Sequence, residues 1–390
     1  MLNDRPILLL AIAQTLVWAC LYYSFPALLL QWEEAFGWSR ADLTAAITLA
    51  IIVSAIAAPV SGRIIDAGKA ASMMALASFC GGLCLLLLTQ VEQLWQFYLV
   101  WGGIGLCMSG ALYEPCFSLI TRARGDQAKS AITTVTLIAG FAGTISFPLA
   151  NRIESAFGWQ TAIVVFALTC MLLVTPLIWL GANALEQSTG ANSTSHASPA
   201  GTDKSFLRSP VFFSLAIGFS LAAVLHGVTL HHLLPILDER AVDAALAVLV
   251  VSSIGPMQVA GRLVMIVANR YVSNHGVTIA CFILMGASIV VLILSEKTPA
   301  LLFLFVLLFG GSYGIVSIIR PVIARDLLGQ HQFGAKSGAM ALVYLSGSAS
   351  APLLGALLWS WAGYTLVLPV LIGFAITGLG LYLYAHSLAK

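Results

Sequence analysis

Polar residues interrupt this chain at nearly regular distances, and the runs between them are apolar for 20 residues or more. A helix rising 1.5 Å per residue needs about 20 such residues to cross a hydrocarbon layer ~30 Å thick. On that basis spans are predicted at 6–30, 40–61, 70–90, 94–120, 130–151 and 159–181, then at 210–234, 242–268, 275–295, 299–324, 335–359 and 363–386. Six stand on each side of one long polar stretch, residues 182–209, whose Ser, Thr, Gly, Ala and Asn are the composition of a flexible linker. The pattern predicts an all-α membrane protein of twelve transmembrane helices. An N-terminal six-helix bundle covers 1–181, a linker 182–209 and a C-terminal six-helix bundle 210–390. The first run lacks a small-residue cleavage site, so it is expected to stay as a membrane helix and not be removed as a signal peptide.

Composition narrows the class. Hydrophobic residues make up 59% of the chain and charged residues 9%, whereas a soluble domain carries about a quarter charged residues. A water-soluble protein is excluded, and a net charge of +2 offers nothing to nucleic acid. Cysteines at 20, 80, 84, 107, 116, 170 and 281 all fall in apolar runs and read as packing residues. Cys80 and Cys84 sit a turn apart with no further ligand nearby, so neither a metal nor another cofactor is expected. With the N-terminus inside, fourteen Lys and Arg fall on the inner side and four on the outer, which puts both termini and the linker in the cytoplasm. The sequon Asn192-Ser193-Thr194 in that linker is then a chance match.

Motifs recur between the halves. Tyr22-Tyr23-Ser-Phe-Pro26 matches His231-His232-Leu-Leu-Pro235, and Pro59-x-x-Gly62-Arg63 matches Pro256-x-x-x-x-Gly261-Arg262. Pro148 matches Pro352, and Phe157-Gly158-Trp159 matches Ala362-Gly363-Tyr364. Gly105–Pro115 and Gly311–Pro321 lie 206 residues apart, each apolar, glycine-bearing and ending in a charge before proline: Glu114 in one, Arg320 in the other. Matches in order at nearly constant offset point to a duplicated six-helix unit, making the bundles pseudo-symmetric.

The loop Pro59-Val-Ser-Gly62-Arg63-Ile-Ile-Asp66-Ala-Gly68-Lys69 is similar to the G-x-x-x-D-[RK]-x-G-[RK] loop of the major facilitator superfamily, with Ala67 where a basic residue is usual. The resemblance covers nearly the whole chain, although Met265 stands at the second-half counterpart of Asp66. Gly37-Trp38-Ser39-Arg40-Ala41-Asp42 resembles a bacterial branch that includes monocarboxylate and oxalate-type carriers, and Leu112–Phe117 and Gly255–Arg262 look like members near it. The resemblance implies a twelve-helix secondary transporter working by alternating access. It also implies that Gly62, Arg63, Asp66, Gly68 and Lys69 form a conformational latch. Two features depart from drug–proton exporters: Gly140-x-x-Gly143-x4-Pro148 fits the helix 5 antiporter signature only in part, and Trp95–Gly103 contains no arginine.

Candidate chemistry lies in the few polar groups at membrane depth. A charge there costs ~2.5–3.5 kcal/mol on insertion scales, so Glu114 is expected to face a cavity or a partner. It can carry a coupling proton or serve as a fixed structural bond. Arg320 can clamp a substrate carboxylate, pair with Glu114 as an inner gate, or snorkel to the interface. His226 and His231 suit proton coupling or anion binding, while His232, about 100° round the helix from His231, is expected at the interface. Tyr22 and Tyr23 read as an aromatic belt or a cavity rim. Gln14, Trp18, Gln258 and Tyr313 complete the set. Pro115 and Pro321 free the carbonyls of Ala111 and Ser317. Gly310-x-Ser312-x-Gly314 matches a hydrolase pattern but lies inside a membrane span, where small residues serve close packing.

These residues lead to a proton-coupled carrier of a small organic anion in a bacterial inner membrane. Its expected partners are the solute, protons and the lipid bilayer, with no nucleic acid, and the chain is expected to act as a monomer. The main alternative is a broad-specificity exporter of hydrophobic compounds. An intramembrane enzyme or a transporter-like sensor is remote, because paired catalytic residues and a sizeable soluble domain are missing.

Overall fold

A computed structural model describes residues 4–189, 205–268, 271–329 and 333–389. Among them are twelve helices long and apolar enough to cross a membrane. Lipid cannot satisfy backbone polar groups, so each apolar run must close its own hydrogen bonds, and only a helix does that within one segment. The first six are α1 (Arg5–Phe36), α2 (Arg40–Ile65), α3 (Ala70–Leu88), α4 (Leu94–Arg124), α5 (Ser130–Phe157) and α6 (Trp159–Gln187). The second six are α7 (Pro210–Glu239), α8 (Ala244–Met265), α9 (Asn274–Leu294), α10 (Leu301–Leu328), α11 (Ala339–Ala362) and α12 (Tyr364–Leu388). Most helices run on past their predicted C-terminal ends, while α3 and α9 stop one or two residues short of theirs. The helix of α6 continues to Thr189, eight residues into the stretch read as linker, and the sequon at Asn192 lies outside the described residues.

Turn chemistry sets several boundaries. Gly37, at φ 67°, ends α1, a left-handed conformation that glycine adopts without strain. Ser39 then accepts the Asp42 N–H at 3.1 Å and caps α2. Ser273 does the same for α9 through Gly276 at 3.2 Å.

The chain forms two compact units, Met1–Ser195 and His196–Lys390. In the first, α1 packs on α5 and α6, α4 on α2 and α3, and α3 on α6. In the second, α7 packs on α11 and α12, α10 on α8 and α9, and α9 on α12. Each of these contacts has its counterpart in the other unit. The α4–α2 contact is close because Gly105 carries no Cβ, which would collide with the Ala50 backbone. Gly314 and Gly261 allow the same approach of α10 to α8, against Gln258 and Gly311. Ser312 of the hydrolase-like pattern donates to the Leu308 carbonyl in its own helix at 2.6 Å, so its surroundings are those of a packed helix.

Helix continuity separates the units. In α1 a π-type turn spans Ala19–Tyr23, and in α6 another spans Thr169–Val174. The α5 helix is interrupted at Gly140–Phe141. The α4 helix is split into Leu94–Ala111 and Tyr113–Arg124 by Leu112, whose φ −83° and ψ −154° are extended.

Candidate functional site

In the first unit the split in α4 organises the site. Pro115 has no N–H, so the Ala111 carbonyl loses its helical partner. The Gln14 side chain of α1 supplies the replacement, donating from Nε2 at 2.8 Å. Because a carbonyl can only accept, the amide orientation is fixed and Gln14 Oε1 points the other way. That oxygen is buried and has no hydrogen-bond partner in the protein. Glu114 is the second residue of the new helical segment, where the positive end of the peptide dipoles favours a carboxylate. As a residue it is exposed, and among the described residues the ion pairs Arg40–Glu33 and Arg124–Asp4 do not involve it.

Aromatic rings surround the split. Trp18 lies one turn beyond Gln14, with its ring 4.8 Å from Tyr113 and 5.1 Å from Tyr22. Tyr22 meets Tyr23 edge-on at 5.3 Å, and Tyr23 meets Phe147 of α5 at 6.1 Å. Tyr113 stacks on Phe117 at 4.8 Å. The π-type turn in α1 contains Tyr22 and Tyr23, and the Ala19 carbonyl at its start accepts a bond from Ser146 of α5 at 2.9 Å. Gln14, Trp18, Tyr22, Tyr23 and Glu114 therefore gather around the α1–α4 junction.

Four candidates of the second unit are linked in one chain of contacts, Arg320 joining it through Tyr344. His226 of α7 lies flat between two α10 rings: Tyr313 at 3.3 Å and 12°, and Phe309 at 5.3 Å and 6°. Its Nε2 is 3.4 Å from the Gln258 amide nitrogen of α8. The Tyr313 hydroxyl shares a 2.7 Å hydrogen bond with that of Tyr344 on α11. Over the Tyr344 ring, 3.8 Å from its centroid, lies the guanidinium carbon of Arg320. Arg320 Nη1 is buried without a hydrogen-bond partner. Tyr344 is the member the sequence analysis missed. The one signal for it is a lone hydroxyl-bearing aromatic within an apolar span, which does not set it apart from other tyrosines.

Other candidates make different hydrogen bonds. His231 is fully buried and holds the Gly227 carbonyl of its own helix at 2.9 Å. The interfacial position expected for His232 is corrected, because its side chain is fully buried. One ring nitrogen meets the Tyr364 hydroxyl at 3.0 Å and the other the Pro352 carbonyl at 2.9 Å, tying α7 to α11 and α12. At the loop after α2, Gly68 takes φ 72° and its N–H donates to the Ile65 carbonyl at 2.9 Å. Gly62, Arg63 and Lys69 are partly or fully exposed. Arg122 of α4 donates to the Ile65 carbonyl of α2 and Glu186 of α6 accepts the Ala70 N–H of α3, so four helices are tied together in pairs beside this loop. Arg124 pairs with Asp4 at 2.7 Å at that end of the unit. Among the described residues no group of three or more His, Cys, Asp or Glu is placed to hold a metal ion.

Residues 8–352 match the family model described as Major Facilitator Superfamily. No curated protein matches the chain. Among solved structures, the chain is similar to a bacterial homologue of the human lysosomal transporter Spinster in its inward-facing, occupied conformation. That match has 13% identity and a TM-score of 0.71, covering 98% of this chain and 96% of the other. The same homologue in its unoccupied conformation gives 12% identity and a TM-score of 0.67, covering 100% and 97%. A mutant of the nucleoside transporter NupG gives 17% identity and 0.71, covering 97% and 99%. At such identities the likeness is one of fold.

Proposed function

This chain belongs to the Major Facilitator Superfamily, and from that premise we propose that it is a secondary transporter moving a small organic anion by alternating access, coupled to protons. It is a membrane transporter and not an enzyme, so the polar groups at membrane depth serve binding and coupling. Arg320 carries the anion reading. Its guanidinium is held against Tyr344 with Nη1 buried and unpartnered, and among the described residues the ion pairs Arg240–Glu296 and Arg325–Asp326 do not involve it. A cation kept in that state is suited to a carboxylate that comes and goes.

Glu114 carries the proton in this reading, and the Gly62–Lys69 loop is the conformational latch. Both termini lie in the cytoplasm, as fourteen inner against four outer basic residues favour. The chain acts as a monomer in a bacterial inner membrane, near the monocarboxylate and oxalate-type branch, with the bundles at 1–181 and 210–390.

A thermal-shift screen of the purified protein against organic acids, vitamins and antibiotics tests the substrate class, and selective stabilisation by acids is expected. Uptake of a stabilising acid into vesicles should follow an imposed pH gradient. In Glu114→Gln that gradient-driven uptake should fall by about tenfold or more while acid-for-acid exchange persists, since only the proton step is removed. Uptake indifferent to the gradient would end the proton reading. Stabilisation by apolar antibiotics alone would favour the exporter alternative, for which the Trp18, Tyr22, Tyr113 and Phe117 rings are the supporting observation.

A further inference from the structure

We propose that Tyr344 is a positioning residue for Arg320, holding the guanidinium flat so that a carboxylate reaches it along its edge; this rests on the anion reading of Arg320 given above. An arginine side chain has four rotatable bonds and, near the end of a span, normally reaches toward water. Here its charged carbon lies 3.8 Å above the centre of the Tyr344 ring, a distance at which the negative face of the ring attracts a cation. One face of the guanidinium is thereby covered.

Tyr344 is itself moored. Its hydroxyl is bonded to that of Tyr313 at 2.7 Å, and the Tyr313 ring is stacked on His226 at 3.3 Å. His226 rests in turn on Phe309. Three helices, α7, α10 and α11, thus fix the ring on which Arg320 lies. With a face covered and Nη1 lacking an acceptor, the approach left is in the guanidinium plane, where a carboxylate can meet two N–H groups at once. Lysine, a point charge without a plane, cannot reproduce this. The arrangement assigns a task to a residue that has no charge and no place in any motif.

The full-length protein is labelled with p-hydroxyphenylglyoxal, which reacts with guanidinium groups, and the modified peptides are followed by mass spectrometry. Arg325, five residues on in the same helix and with its side chain 53% exposed, is the internal reference. The Arg320-to-Arg325 labelling ratio should be low in the wild type. It should rise about twofold in Tyr344→Phe, which keeps the ring and loses the mooring, and about tenfold in Tyr344→Leu, which loses both. A ratio unchanged in Tyr344→Leu would overturn the proposal, as would a Phe variant no different from the Leu variant. An equal rise at Arg320 and Arg325 would mean general opening of the fold and would also overturn it. Benzoate and oxalate are then added to the wild type. Protection of Arg320 by either supports the edge-on carboxylate, and no protection counts against the anion reading while the ratio still decides the role of Tyr344.

Discussion

The segments Gly105–Pro115 and Gly311–Pro321 are built alike and fold differently. Both pack glycines against the neighbouring helix and end in a charge and a proline. In the first the helix parts at Leu112, whereas in the second α10 runs unbroken from Leu301 to Leu328 with Pro321 inside it. The first unit holds prolines of both kinds, with Pro59 and Pro148 inside helices and others at their starts. Three prolines of the first unit, Pro26, Pro115 and Pro176, stand second or third in a helical segment that follows an irregularity. A first turn has no internal partner for its N–H groups, so the missing N–H is harmless there. In the second unit Pro235, Pro256, Pro321, Pro352 and Pro369 all lie inside continuous helices. A proline in a membrane span therefore does not dictate a break. What matters is whether a neighbouring helix can take over the carbonyl it frees, as Gln14 does for Ala111.

The comparison can be broken most severely at the glycines. Gly105→Leu and Gly314→Leu each drive a side chain into the backbone of the facing helix, and each should cost ~3 kcal/mol or more. Loss of a monodisperse peak on size exclusion is expected for both. If either variant folded normally, the paired α4–α2 and α10–α8 contacts would not be equivalent.

A medium effect distinguishes the split helix from the whole one. Gln14→Leu leaves the Ala111 carbonyl buried and unpartnered, at a cost of about 1–3 kcal/mol. Pro115→Ala restores an N–H that lets α4 close, so the double variant should lose less than Gln14→Leu alone. Hydrogen exchange over residues 109–116 should slow in Pro115→Ala, while Pro321→Ala should leave the matching stretch of α10 nearly unchanged. Equal responses at the two prolines would remove the distinction.

The smallest effect tests the duplication at a turn. After α1 the left-handed position is Gly37 at φ 67°, whereas after α7 it is Ala241 at φ 52°. Alanine is strained there, so Ala241→Gly, which gives the second unit the residue of the first, should stabilise by about 1 kcal/mol. A thermal melt in detergent reads this as a higher midpoint, and a lower one would mean that the Ala241 methyl group packs favourably.

Particular residues show how far the sequence reaches. The twelve spans follow from apolar length alone, since lipid leaves a segment that must satisfy its own backbone little choice but a helix. Their pairing was legible in part, because Gly105 and Gly311 announce close approach without naming the partner. Pro115 announced a freed carbonyl at Ala111, and Gln14 stood out as polar within an apolar run. Nothing in one dimension joined them, as they are 97 residues apart. Tyr344 gave no signal that set it apart from other tyrosines, because a tyrosine acquires its meaning from the ring, hydroxyl or cation it meets.

The sequence by itself therefore determined the membrane class, the number of helices, the duplication and most of the polar residues that could matter. Tertiary structure alone decided that α4 splits and α10 does not, that His232 ties helices together, and that Arg320 lies on Tyr344. The physical reason is one of range. Solvent exclusion and backbone closure act along a local stretch and leave their mark on its composition. Hydrogen bonds and ring contacts between helices depend on rotations and approaches that only the assembled unit fixes.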